Sequence, residues 1–71
     1  MNVWSELTGN NEYCADISDL QANGLMKSNV VTLPDGTPVS FSQFQRKTDE
    51  EGDITHWEYN RNGTTYTVLN D

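Results

Sequence analysis

The strongest pattern lies near the end of the chain, where two runs rich in Thr, Tyr and Trp, Ile54–Arg61 and Thr64–Leu69, flank the dipeptide Asn62-Gly63. Asn-Gly tolerates the two positive φ angles of a type I′ turn, so the segment reads as a β-hairpin. A two-residue loop opposes Arg61 to Thr64, Tyr59 to Tyr66 and Trp57 to Val68, and opposed residues share a side. One face is then aromatic, with Trp57 at its centre. The other carries Asn60 with Thr65, Glu58 with Thr67, and His56 with Leu69. A slip of one residue would turn Trp57 and both tyrosines outward, so turn chemistry and hydrophobic pattern specify one register.

A second hairpin is predicted around Pro34-Asp35-Gly36-Thr37, between Val30–Leu33 and Pro38–Phe41. Centring its turn on Asp35-Gly36 opposes Thr32 to Val39 and Val30 to Phe41, which leaves Val31 and Leu33 on the reverse. Phe41–Thr48 reads as a further strand, returning through Asp49-Glu50-Glu51-Gly52-Asp53. A turn centred on Glu51-Gly52 sets Phe44 opposite Tyr59 and Arg46 opposite Trp57, where a guanidinium can stack on the indole. Phe41 and Phe44 are three apart and face one core only if a bulge or bend falls between them, so an irregularity is expected at Ser42-Gln43.

The first third is less regular. Tyr13, Ala15 and Ile17 alternate as in a strand, whereas Ser18-Asp19-Leu20-Gln21 fits a capping box and favours a short helix from about Asp19 to Lys27. Gly24 weakens that helix or ends it early. Leu20, Leu25 and Met26 would close over the sheet. Trp4 and Leu7 suggest a one-turn helix before a Gly9-Asn10-Asn11 loop. The expected fold class is α+β: one small domain over residues 1–71, with a helical or irregular segment 1–28 and an antiparallel β-meander 29–70. Its sheet has about four strands in two or three hairpins, and the short N-terminal helix packs on one face. An all-β meander is the alternative.

With 71 residues the core must be thin, and a deep enclosed active site is not expected. The single cysteine, Cys14, excludes an internal disulfide, and with the single His56 it cannot furnish a four-ligand structural zinc site. The longest apolar run, Tyr13-Cys14-Ala15, is far too short to cross a bilayer. Met1-Asn2-Val3-Trp4 opens neither a basic nor an apolar leader, so a cytoplasmic location is expected, the host's if the protein is viral.

No catalytic motif is present. A nucleophile elbow, a glycine-rich phosphate loop and a second histidine are all missing, and His56 falls on the polar face of the hairpin. Asp49, Glu51 and Asp53 share the 1, 3, 5 spacing of a calcium loop. Ile54, however, stands where such a loop needs glycine, and Asn60 where it needs a bidentate Glu. Neither enzyme activity nor a cofactor is expected.

Charge carries the remaining information. Eleven acids oppose four Lys and Arg, a formal net charge of −7, which is the wrong sign for binding nucleic acid directly. The acids concentrate in two segments, Asp49, Glu50, Glu51, Asp53 and Glu58 near the third turn, and Glu6, Glu12, Asp16 and Asp19 in the first third. Both are candidate surfaces for the basic face of a nucleic-acid-binding protein or complex, reached by electrostatically steered association. In composition the whole chain is similar to small phage and mobile-element proteins that counter host defence, including anti-CRISPR proteins and other DNA mimics. That resemblance implies a stoichiometric inhibitor or modulator and assigns no residue. The competing expectation is a structural or adaptor protein, or a homodimer, binding through apolar and sheet-edge contacts. Acidity that serves only solubility is the bland reading of the same charge.

Overall fold

The computed structural model describes residues 3–7, 9 and 11–71. Its strands are β1 (Ser5–Leu7), β2 (Glu12–Asp16), β3 (Met26–Lys27), β4 (Val30–Thr32), β5 (Pro38–Ser40), β6 (Gln45–Thr48), β7 (Ile54–Arg61) and β8 (Thr64–Leu69). One helix, α1 (Ile17–Ala22), follows β2, and a 3-10 turn, Phe41–Gln43, follows β5.

The β7–β8 hairpin has the register that its pattern requires, with Tyr59 opposite Tyr66, Trp57 opposite Val68 and His56 opposite Leu69. Asn62 and Gly63 both take positive φ, at 50° and 81°, as a type I′ turn demands. Around this hairpin the sheet grows further than four antiparallel strands. It has five, in the order β1-β2-β8-β7-β6, and it is mixed because β2 runs parallel to β8. The alternation of Tyr13 and Ala15 is the cause. Segment 12–16 is a strand whose apolar side falls in register with Tyr66 and Val68, so it extends the buried face across the open edge of the hairpin. Trp4–Leu7 is correspondingly not a helical turn: Ser5–Leu7 is the outer strand, antiparallel to β2. Of the loop that follows, Asn10 lies outside the described residues.

The helix is shorter than the Asp19–Lys27 expectation. It starts at Ile17, with Asp16 rather than Ser18 at the cap position. It ends in a Schellman motif: Gly24, at φ 72°, donates to the Gln21 carbonyl, and Leu25 donates to the Leu20 carbonyl at 2.8 Å. Leu20 is fully buried, and Leu25 and Met26 pack against the core beside it. Glycine therefore stops the helix one turn after it begins to bury side chains, and Met26-Lys27 is released to pair as β3.

The β-meander of residues 29–70 is divided between two sheets, since β4 and β5 join β3 in a second, three-stranded antiparallel sheet. The β4–β5 register also differs from expectation by one residue, with Val31 opposite Val39 and Thr32 opposite Pro38. The loop is the reason. Gly36 donates to the Leu33 carbonyl and Leu33 to the Thr37 carbonyl, with Gly36 at φ 89°, which is a three-residue type I plus G1-bulge loop rather than a two-residue turn. The extra residue swaps the faces: Val31 and Leu33 enter the core and Val30 is exposed. The β6–β7 connection repeats the device at Asp49–Asp53, and a bulge between Lys47 and Thr48 restores the expected pairing of Arg46 with Trp57.

Between the sheets lie Trp4, Ala15, Leu20, Val31, Leu33, Val39, Phe44, Tyr66 and Val68. The indole of Trp4 donates to the Thr32 carbonyl at 2.9 Å, fastening the edge of one sheet to the other. All seven aromatic residues join one network: Tyr13, Tyr66, Tyr59, Phe44, Phe41 and Trp57 in succession, with Trp4 edge-on to Tyr66. The interruption expected at Ser42-Gln43 is the 3-10 turn, and it lets both Phe41 and Phe44 face inward in place of a continuous 41–48 strand. Trp57 is half-buried under Phe41 rather than central, and the centre belongs to Tyr66 and Val68.

Candidate functional site

The second sheet covers one face of the five-stranded sheet and leaves the other open. Strand register arranges that open face in rows. Lys47, His56, Leu69 and Asp16 form one row, and Gln45, Glu58, Thr67, Cys14 and Ser5 the next. The third is Asn60, Thr65, Glu12 and Leu7.

Cys14 and His56 thus share a face but lie two strands and one row apart, about 12 Å at ~4.8 Å between strands and ~3.3 Å per residue. A nucleophile and its base need to be within hydrogen-bond reach, and these are not. Burial pushes the Cys14 thiol above its ordinary pKa, with the Asp16 carboxylate adding to the effect, so the reactive thiolate is disfavoured. The Nε2 atom of His56 lies 2.8 Å from the Glu58 carboxylate, and Nδ1 lies 3.0 Å from the Thr55 hydroxyl. A carboxylate only accepts, so Nε2 carries a proton there.

The acids fall into groups that differ from their order in sequence. Glu58 and Glu12 lie on the open face, apart from each other. Glu6 lies on β1 beside Tyr13, whose hydroxyl it approaches at 3.4 Å, and its charge is the main influence raising the Tyr13 pKa. The rest converge. Asp49, Glu50, Glu51 and Asp53 form the β6–β7 turn, Asp16 ends β2, and Asp19 lies in α1 directly after it. Asp71 bonds both the hydroxyl and the backbone N–H of Ser18 in the same helix, which holds its carboxyl below the usual range. All these acids stand at the end of the sheet where β7 begins and β8 and β2 finish. From β6 to β2 is three inter-strand steps, about 14 Å. Sequence reasoning joined Glu58 to the turn and missed Asp71; the parallel β2–β8 pairing, which no local pattern encodes, brings Asp16 and Asp19, but not Glu6 and Glu12, to the turn's end.

Within the turn the acids do different work. The Asp49 Oδ1 atom accepts from the backbone N–H of Glu51 at 2.9 Å and of Asp53 at 3.0 Å, so this side chain folds inward to close the loop. Glu50 and Glu51 make no side-chain hydrogen bond among the described residues and project into solvent. Among the described residues no three acidic, histidine or cysteine side chains are grouped to hold a metal, and the only ion pair is His56 with Glu58. No described helix is long and apolar enough to cross a membrane.

A cleft of about 660 Å³ opens beside β1, between β1–β2 and the second sheet. Trp4, Tyr13, Leu25, Leu33 and Pro34 form its apolar walls, with Glu6 and Asn23 at its polar positions. No family model, curated protein or solved structure shows significant similarity to the chain.

Proposed function

We propose that the chain is a small acidic protein-binding module, a stoichiometric inhibitor or modulator of a basic nucleic-acid-processing protein, acting by charge complementarity. The observation that supports this reading is the convergence of Asp16, Asp19, Asp49, Glu50, Glu51, Asp53 and Asp71 on one end of a rigid sheet. A DNA duplex carries roughly eight phosphate charges over about 14 Å of axis, so an array of this density resembles what a nucleic-acid groove is built to receive. Held on a folded scaffold, the charges lose little freedom on binding, and their main contribution is to association rate.

The test is capture of partners from a host lysate at low salt, followed by association kinetics with the retained nucleic-acid-processing protein. Association should slow steeply with ionic strength, and nucleic acid should compete. A Glu50→Gln, Glu51→Gln, Asp53→Asn variant should associate more slowly at low salt, and an unchanged rate there removes the reading. The outer edges of β1 and β6, which pair with no other strand among the described residues, support a second reading, strand addition by a protein partner, for which affinity would be nearly indifferent to salt.

A further inference from the structure

We infer that the cleft beside β1 is a receptor for one arginine side chain of the partner, an anchor separate from the acidic end; the inference rests on the proposed basic partner and adds the residue by which it is gripped. The cleft is a half-open groove of about 660 Å³, not an enclosed pocket, and suits a single side chain. Its apolar walls suit an aliphatic stem. Of its polar groups, Asn23 commits one amide N–H to the Asp19 carbonyl, the Thr32 carbonyl accepts from the Trp4 indole, and the Glu6 carboxylate can only accept. Among the described residues no Lys, Arg or His lines it.

Glu6 supplies the charge. Among the described residues its carboxylate has no cationic partner, only the long contact with the Tyr13 hydroxyl. The Tyr13 ring stacks on Tyr66 at 5.5 Å, and Tyr13 lines the cleft together with Glu6. An aromatic side chain next to a carboxylate that has no cationic partner among the described residues matches a guanidinium, which is planar, stacks on aromatic rings and offers two parallel N–H groups to a carboxylate. An ammonium is a compact, strongly hydrated charge and exploits neither the ring nor the fork. The chain's acidity favours the same sign of ligand, and Asp35 in the turn between Pro34 and Gly36 adds a further negative charge that acts on Tyr13.

The experiment is a nuclear magnetic resonance titration of the intact chain with N-acetyl-arginine amide, the lysine amide and the apolar norleucine amide, following the Trp4 indole N–H. The arginine amide should give saturable shifts at Trp4 and Tyr13, with a dissociation constant on the order of 1 mM. The lysine amide should bind several-fold more weakly, and the norleucine amide more weakly still. Glu6→Gln, an exposed change that leaves the core intact, should weaken the arginine amide about fivefold or more, while Tyr13→Phe, which keeps the ring, should stay within about threefold. Absence of saturable shifts, equal binding of all three amides, or indifference to Glu6→Gln overturns the inference. The variant neutralised at Glu50, Glu51 and Asp53 should bind the arginine amide normally. If the amide fails while association with the captured partner keeps its steep salt dependence, the anchor falls and the charge reading stands.

Discussion

Tyr13 and Tyr66 stack with their ring centroids 5.5 Å apart and 14° between their planes, across the parallel pairing of β2 with β8. This contact ties the first third of the chain to the C-terminal hairpin, and Tyr66 also meets Trp4 and Tyr59. Tyr66→Ala should therefore cost about 3–5 kcal/mol, in the range of large aromatic truncations in a core. Its neighbour Thr67 points to the open face, and Thr67→Ala should cost less than about 1 kcal/mol. Urea titrations compare the two, and equal losses would contradict the β7–β8 register.

The acidic turn separates a folding role from a binding role. Asp49→Ala removes the acceptor for two backbone N–H groups and should cost about 1 kcal/mol. Glu50→Gln with Glu51→Gln removes only solvated charge and should leave stability within about 0.5 kcal/mol, unchanged or slightly raised by relief of repulsion. Denaturant midpoints for both variants check this. A large loss from the double Gln variant would mean that the glutamates hold the turn.

Stability toward acid has a predictable sign. The backbone N–H of Thr37 bonds the Asp35 carboxylate at 2.9 Å and holds its pKa below the ordinary range. A depressed folded-state pKa stabilises the native state above the unfolded value, near 3.9, and that contribution is lost as pH falls through the folded value. Asp71, held down by Ser18, acts in the same direction. Asp35→Asn should therefore flatten the decline of melting temperature below about pH 4 without removing it. Melts recorded from pH 2 to pH 7 test this, and an unchanged acid limb would show that the Thr37 contact contributes nothing.

The open face predicts a sluggish thiol. With its pKa raised chiefly by burial, Cys14 should react with iodoacetamide more slowly than free cysteine at pH 8. Cys14→Ser combined with His56→Gln should leave partner binding and biological effect intact. Loss of effect with unchanged circular dichroism and melting would reopen the question of catalysis on this face.

Local chemistry determined the hairpins. Asn62-Gly63 permits one loop and one register, and the alternation of Trp57, Tyr59, Tyr66 and Val68 agrees with it, so β7 and β8 could be placed residue by residue. An irregularity at Ser42-Gln43 was legible for a similar reason, because two phenylalanines three apart cannot share one face of a regular strand, but that it takes the form of a 3-10 turn was not. The loop at Pro34–Gly36 was harder, since proline, aspartate and glycine suit two- and three-residue turns alike. The choice was made by burial of Val31 and Leu33, which depends on what stands opposite them. The parallel pairing of β2 with β8 lay beyond any local signal. Residues 12–16 and 65–69 are some fifty positions apart, and only the apolar surface that each leaves uncovered brings them together. The candidate surfaces follow that pairing: the acids were legible as residues, but their gathering at one end of the sheet, and the cleft between Glu6 and Pro34, exist only once the two sheets have closed on a common core.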